Sequence, residues 1–285
     1  MRGEHDWFRR GPKGNPTAWP TRSHRPCPPK APDEYTVRFT ETRYGRMRSR
    51  SVGDLSGAPP VVTVMGMAVS DYLLPAQAAL TWTRTHLLDL PGLSGSGDAT
   101  RRLAVPDYAQ AVCDWLDAAG LPPVILAGHS SGTQVAAHAA AARPDLVAAT
   151  VLASPTVDPS ARSVPKALFQ WRRDARYPMP GLSESHKPEW RRAGFGQLVH
   201  LLRAHLRDHL EDVVPRLRGP VLVLFGRQDR LCTERWAREL VDLAEDGRLV
   251  TIPGPHTFLW RDPAAWSEPV RDLAAVVRIE GSSAS

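Results

Sequence analysis

Short continuous apolar runs alternate along this chain with longer stretches in which apolar residues recur every three or four positions. Such runs at residues 61–64, 123–127, 149–153 and 221–225 are of strand length and predict strands, as do the more mixed stretches 85–90 and 248–252. Residues 35–41 and 46–52 alternate at period two around Tyr44-Gly45, the pattern of an antiparallel hairpin. Helices are predicted over 72–82, entered past Ser70 or Asp71, and from Pro106 to a stop at Gly120, where Tyr108, Val112, Trp115 and Leu116 share one face. Three more are predicted: an Ala-rich helix from Gly132 to about Arg143-Pro144, one over 235–243, and a last one over 263–277. Strands separated by helices need crossover connections, so the pattern predicts an α/β fold on a mostly parallel sheet.

The rhythm breaks after Ser154. Residues 155–215 hold no strand pattern but do hold a long helical one through Leu198, Leu202, Leu206 and Leu210. An insertion placed before the last two strands suits a lid. The chain therefore divides into a tail (1–34), a first core part (35–154), a helical lid insertion (155–215) and a last core part (216–285).

Composition changes this picture only at the ends. Of 285 residues, 42% are apolar, enough for a substantial core, and no run approaches the roughly 20 apolar residues of a membrane span. Residues 1–30 carry seven Lys/Arg against Glu4 and Asp6, so the formal charge of +6 is concentrated there, among six prolines. That reads as a disordered, basic, Pro-rich tail, and the remainder, almost neutral, gives no reason to expect nucleic acid as a partner. Cys27, Cys113 and Cys232 form no C-x-x-C pair, and no apolar leader with a cleavage site is visible. Together these predict a cytoplasmic protein without structural disulfides, with Cys113 in the core and Cys232 a loop thiol.

Candidate chemistry centres on Gly128-His129-Ser130-Ser131-Gly132, between the strand at 123–127 and the Ala-rich helix. A nucleophile on a sharp strand-to-helix turn needs small residues two positions either side, and the first N–H groups of the helix, Ser131 foremost, point at any oxyanion formed there. A serine needs a base, and the base an orienting acid. Loops beyond late strands supply both: Gly226-Arg227-Gln228-Asp229 and Pro253-Gly254-Pro255-His256. Ser130, Asp229 and His256 are the catalytic candidates, with Asp158 an alternative acid. His205 and His209, four apart, can share a helix face, but no third ligand has a defined position, so neither metal nor cofactor is expected.

With Asp89-Leu90-Pro91-Gly92 and 142–147 (ARPDLV) added to these motifs, residues 35–280 resemble the α/β-hydrolase family. The resemblance implies an eight-stranded sheet, a helical lid, Ser130 as nucleophile, His256 as base and Asp229 as its partner. It also implies a second oxyanion donor after the third strand, where family members usually carry His-Gly. Here Met65-Gly66 stands there, with Met67 as donor, and packing is expected to replace the missing histidine's brace. Arg191-Arg192-Ala193-Gly194 before a basic amphipathic helix resembles the lid of actinobacterial α/β-fold hydrolases. Met65, His129, Trp171, Trp190 and Phe195 are the candidates for the substrate pocket, the three aromatics either lining an acyl site or holding lid to core.

The reaction implied is hydrolysis of a small carboxylic ester, thioester or lactone through an acyl-serine. The alternative within the enzymes is carbon–carbon bond hydrolysis of a ring-cleavage product, although members of that branch usually place Asn just before the nucleophile and near the oxyanion loop, and the only Asn here is Asn15. Dehalogenases and epoxide hydrolases of the family need Asp in place of Ser130. A receptor of the same fold that binds a small molecule without turnover is the reading of another class, with Met65 in its favour.

Overall fold

A computed structural model describes residues 35–55 and 57–283, with side chains to Val277. The predicted tail and Cys27 lie outside the described residues. Eight strands form one sheet: β1 (Thr36–Thr42), β2 (Gly45–Val52), β3 (Val61–Val64), β4 (Thr85–Asp89), β5 (Val124–His129), β6 (Val147–Ala153), β7 (Val221–Gly226) and β8 (Gly247–Ile252). Their order is β1-β2-β4-β3-β5-β6-β7-β8. Only β1 with β2 and β2 with β4 pair antiparallel. From β4 to β8 the sheet is parallel, because a crossover stands between consecutive strands.

The central strands read as unbroken apolar runs because both sheet faces are covered. Along β5, Val124 and Leu126 enter one core, with α2 (Val105–Ala119), α3 (Gly132–Ala142) and α8 (Glu234–Leu243). Ile125 and Ala127 enter the other, with α1 (Leu74–Ala78) and α10 (Ser267–Ser283). α2 shows the sequence rules at work. Pro106 lies in its first turn, the Asp107 carboxylate accepts the Ala104 N–H at 2.9 Å, and Gly120 ends it at φ 60°.

Three predicted helices differ in extent. The helix expected over 72–82 is a 3₁₀ turn (Asp71–Leu73) running into α1, which ends at Ala78. Tertiary bonds beyond it take over: Trp82 Nε1 donates to Ser267 Oγ and Thr83 Oγ1 to the Pro59 carbonyl, turning the chain into β4. The last helix does not start at 263. A short α9 (Phe258–Arg261) stops at Asp262, whose φ of −135° suits a residue before proline, and α10 begins at Ser267.

Residues between β6 and β7 form α4 (Val164–Asp174), α5 (Leu182–Ala193), α6 (Phe195–Arg207) and α7 (Leu210–Val213). The leucine pattern through 210 is thus interrupted. Asp208 is extended, its carboxylate accepting from His138 Nε2 at 2.8 Å, although Leu206 and Leu210 both stay buried. His205 and His209 consequently lie on different elements: His205 Nδ1 faces Gln134 Oε1 at 2.7 Å, and His209 Nδ1 faces Arg162 and Glu211.

Candidate active site

Ser130 stands in the turn between β5 and α3 with φ 56°, a left-handed conformation that a non-glycine residue adopts only where its surroundings enforce it. The backbones around it leave no room. A Cβ on Gly128 would meet the Gly132 carbonyl oxygen at 2.3 Å, and one on Gly132 would meet the Met65 and Val64 carbonyl oxygens at 2.5 and 2.6 Å. These two glycines let helix, turn and the loop after β3 close on one another, and the strained turn lifts the Ser130 side chain over the carboxyl edge of the sheet.

The loops after β7 and β8 bring the other two candidates to the same edge. Ser130 Oγ lies 2.7 Å from His256 Nε2, and His256 Nδ1 lies 2.9 Å from Asp229 Oδ2. Asp229 Oδ1 accepts the N–H groups of Leu231 and Cys232 at 2.8 and 2.9 Å. Both histidine and aspartate are buried. Burial works against the imidazolium, but the Asp229 charge and hydrogen bond, with the charge of Asp174 behind them, hold His256 above the usual imidazole value. Burial likewise raises Asp229, and the imidazole together with the two N–H donors overrides it, leaving the carboxyl below its usual range.

Asp158 does not orient His256. Its carboxylate accepts from the Ser160 N–H and from Thr233 Oγ1, bracing the loop after β6. Cys113 is in the core and Cys232, although in a loop, is wholly buried behind Asp229.

The loop after β3 carries Met67, at φ 34°, with its N–H toward the nucleophile turn. That N–H donates to Ser131 Oγ at 2.8 Å. The loop is held by hydrogen bonds from α5 rather than by packing alone. Trp190 Nε1 donates to the Met67 carbonyl at 3.1 Å, while the buried Glu189 carboxylate accepts Ser70 N–H, Ser70 O–H and Asp71 N–H at 2.9, 3.0 and 3.2 Å. Sequence reasoning missed Glu189, whose partners lie 118 and 119 positions away with no local signal. It also missed Asp174 at the end of α4, whose Oδ1 accepts the backbone N–H groups of His256 and Arg230, each at 3.2 Å.

A cavity of about 600 Å³ opens on Ser130. Met67, Ser131, Trp171, Trp190 and Phe195 line it, with further apolar side chains from α4 and α6. Met65 and His129 do not, which corrects their expected place in the pocket. Met65 is buried, with Sδ 3.3 Å from the Leu90 N–H. His129 lies behind the triad: its Nε2 donates to the His256 carbonyl at 2.9 Å, and its Nδ1 accepts from Tyr72 O–H at 2.5 Å. Burial, aided by the neighbouring His256 charge, lowers its pKa to about 3, so it stays neutral and serves as a strut.

Among the described residues no group of three His, Cys, Asp or Glu is placed to hold a metal, and no helix is long and apolar enough to cross a membrane.

Comparison with known proteins places the fold. Residues 55–268 match the model of the alpha/beta hydrolase family, and the chain belongs to that family. It is 28% identical over 146 residues to a haloalkane dehalogenase of Mycolicibacterium paratuberculosis (strain ATCC BAA-968 / K-10). That match takes in 50% of this chain and 48% of the relative, so the chain spans about half the length of the curated relative it matches. Two solved structures share the fold at low identity. The enol-lactonase from Burkholderia xenovorans LB400 is 19% identical, with a TM-score of 0.67 over 84% of this chain and 100% of the other. A thermophilic esterase from Thermogutta terrifontis is also 19% identical, with a TM-score of 0.64 over 86% and 99%.

Proposed function

We propose that this protein is a serine hydrolase that cleaves carboxylic esters, or chemically similar thioesters and lactones, through an acyl-serine intermediate. The reading is carried by the unbroken relay from Ser130 Oγ through His256 to Asp229, with contacts of 2.7 and 2.9 Å. His256 takes the serine proton as Oγ attacks the carbonyl, returns it to the leaving alcohol, and then activates water for deacylation. Asp229 fixes the ring so that Nε2 is the basic nitrogen.

The oxyanion sits between the Met67 and Ser131 N–H groups. Met67 N–H must exchange Ser131 Oγ for the substrate oxygen, a rotation of one small side chain. The nearly apolar cavity favours a hydrophobic acyl or alcohol part, and the inserted helices that line it act as the lid. The resemblance to a haloalkane dehalogenase does not carry over to the chemistry, since Ser130 occupies the position where a carboxylate nucleophile is needed.

Fluorophosphonate labelling with peptide mapping tests the reading. A single adduct on Ser130, absent in Ser130→Ala and much slowed in His256→Ala, is the expected result, along with hydrolysis of a p-nitrophenyl ester series. A folded protein that takes no adduct and retains equal ester turnover in Ser130→Ala would overturn it.

A further inference from the structure

The inserted helices leave apolar side chains in water around the cavity mouth. Val164, Leu168 and Trp171 on α4 and Phe195 at the start of α6 are 37%, 47%, 46% and 84% exposed, yet all four also line the cavity that leads to Ser130. Phe169, 61% exposed, stands beside them. α4 buries none of its residues, so this helix gains little from the protein's own core. Exposed apolar groups concentrated at one site mark a surface that another phase or molecule covers.

Charge accompanies them. Residues 164–207 hold nine Lys/Arg against Asp174, Glu184 and Glu189, a net of +6. All nine basic residues are exposed, and among the described residues none of them is in a salt bridge with an acidic group. Two of the three acids face inward, onto the loops of the candidate site, leaving Glu184 as the exposed one. The exposed surface of residues 164–207 is therefore both apolar and strongly cationic.

We infer that this face docks on an anionic phospholipid surface and brings the cavity mouth against it. Cations attract such a surface over a Debye length, and aromatic and aliphatic side chains then enter the headgroup boundary. Nucleic acid would answer the charge but leave Val164, Leu168 and Phe195 in water, whereas a lipid surface satisfies both features. The four residues that are exposed and cavity-lining make a continuous apolar path from the bilayer to Ser130. The docking goes beyond the hydrolase reading and does not require it.

Vesicle flotation with the full chain is the test, using phosphatidylcholine vesicles with and without phosphatidylglycerol. The variants are Arg172→Glu/Arg173→Glu and Phe169→Ser, three positions outside the cavity lining, with folding checked by circular dichroism. Wild type is expected to float with the phosphatidylglycerol vesicles about tenfold or more better than with the neutral ones. The charge reversal should weaken this by about tenfold or more, and Phe169→Ser by several fold. No binding to anionic vesicles overturns the proposal. So does binding unchanged by the charge reversal, because every variant keeps the basic tail and such binding would belong to it. A dimer that Phe169→Ser disperses, without vesicle binding, shows that a second copy covers the face and overturns it as well.

Discussion

His256 holds its proton more firmly than a free imidazole because two carboxylates face it, Asp229 at its Nδ1 and Asp174 beneath its backbone N–H. In the proposed reaction the protonated ring cannot act as base, so hydrolysis should rise with pH through a value above the ordinary 6.5 of histidine and level off beyond it. Asp174→Asn keeps an oxygen for the two backbone donors and removes one of the raising charges. Its acid limb in kcat/KM should therefore move to lower pH, with the plateau changed by less than about tenfold. A limb that stays in place would assign the elevation to Asp229 alone. His129 illustrates what a residue-level reading of sequence loses. Adjacency to Ser130 suggested the pocket, but period two along β5 groups His129 with Ile125 and Ala127, the face that packs on Tyr72 and Phe258. The alternation was legible. What hid the outcome was the turn at Ser130, whose φ of 56° sends the Ser130 side chain away from that face.

At the scale of elements, α5 does the work expected of a histidine after β3. Glu189 takes three donors of the loop that carries Met67, and Trp190 takes its carbonyl, so a helix between β6 and β7 holds the proposed oxyanion donor in place. Glu189 is a positioning residue. Glu189→Ala leaves two backbone N–H groups of a buried loop without acceptors and frees Met67 to drift, for which a fall in kcat of about 10- to 100-fold with a smaller change in KM is expected. Glu189→Gln retains one oxygen for the backbone pair and offers its amide to Ser70 Oγ, so it should recover most of the loss. Equal loss in kcat and thermal stability for both variants would show a merely structural role. Such a brace is invisible to periodicity, because α5 and the loop it holds are joined by contacts across more than a hundred positions. Strands were legible for the opposite reason: β3, β5 and β7 are largely apolar because each is buried along its whole length. Helix ends were less so, as at Asp208, where a hydrogen bond with His138 stands at the break in a leucine repeat.

Across the whole molecule, one buried polar network ties together parts that the sequence presents separately. Arg50 of β2, 6% exposed, donates to Asp89 at the end of β4 at 3.1 Å, to Ser70 Oγ at 2.6 Å and to Asp71 at 2.6 Å, and Ser70 passes the connection to Glu189 of α5. Arg48 closes the other side of Asp89 at 2.6 Å. The antiparallel hairpin, β4, the loop after β3 and α5 thus share one set of charges. Replacing one buried partner leaves the others uncompensated, at a typical cost of about 3–5 kcal/mol. Arg50→Ala should accordingly lower the melting temperature by roughly 6–20 °C, at about 2–4 °C per kcal/mol for a domain near this size. Asp71, whose side chain is 49% exposed, belongs to the same network but sits where water can replace it, so Asp71→Ala should cost less than about 1 kcal/mol. Thermal melts of the two variants beside wild type decide the matter. Similar small losses in both would mean that water reaches Asp89 as readily as Asp71. A large loss confined to Arg50→Ala would show that the hairpin, at the sheet's edge, is tied to β4 and the loop after β3 through buried charge.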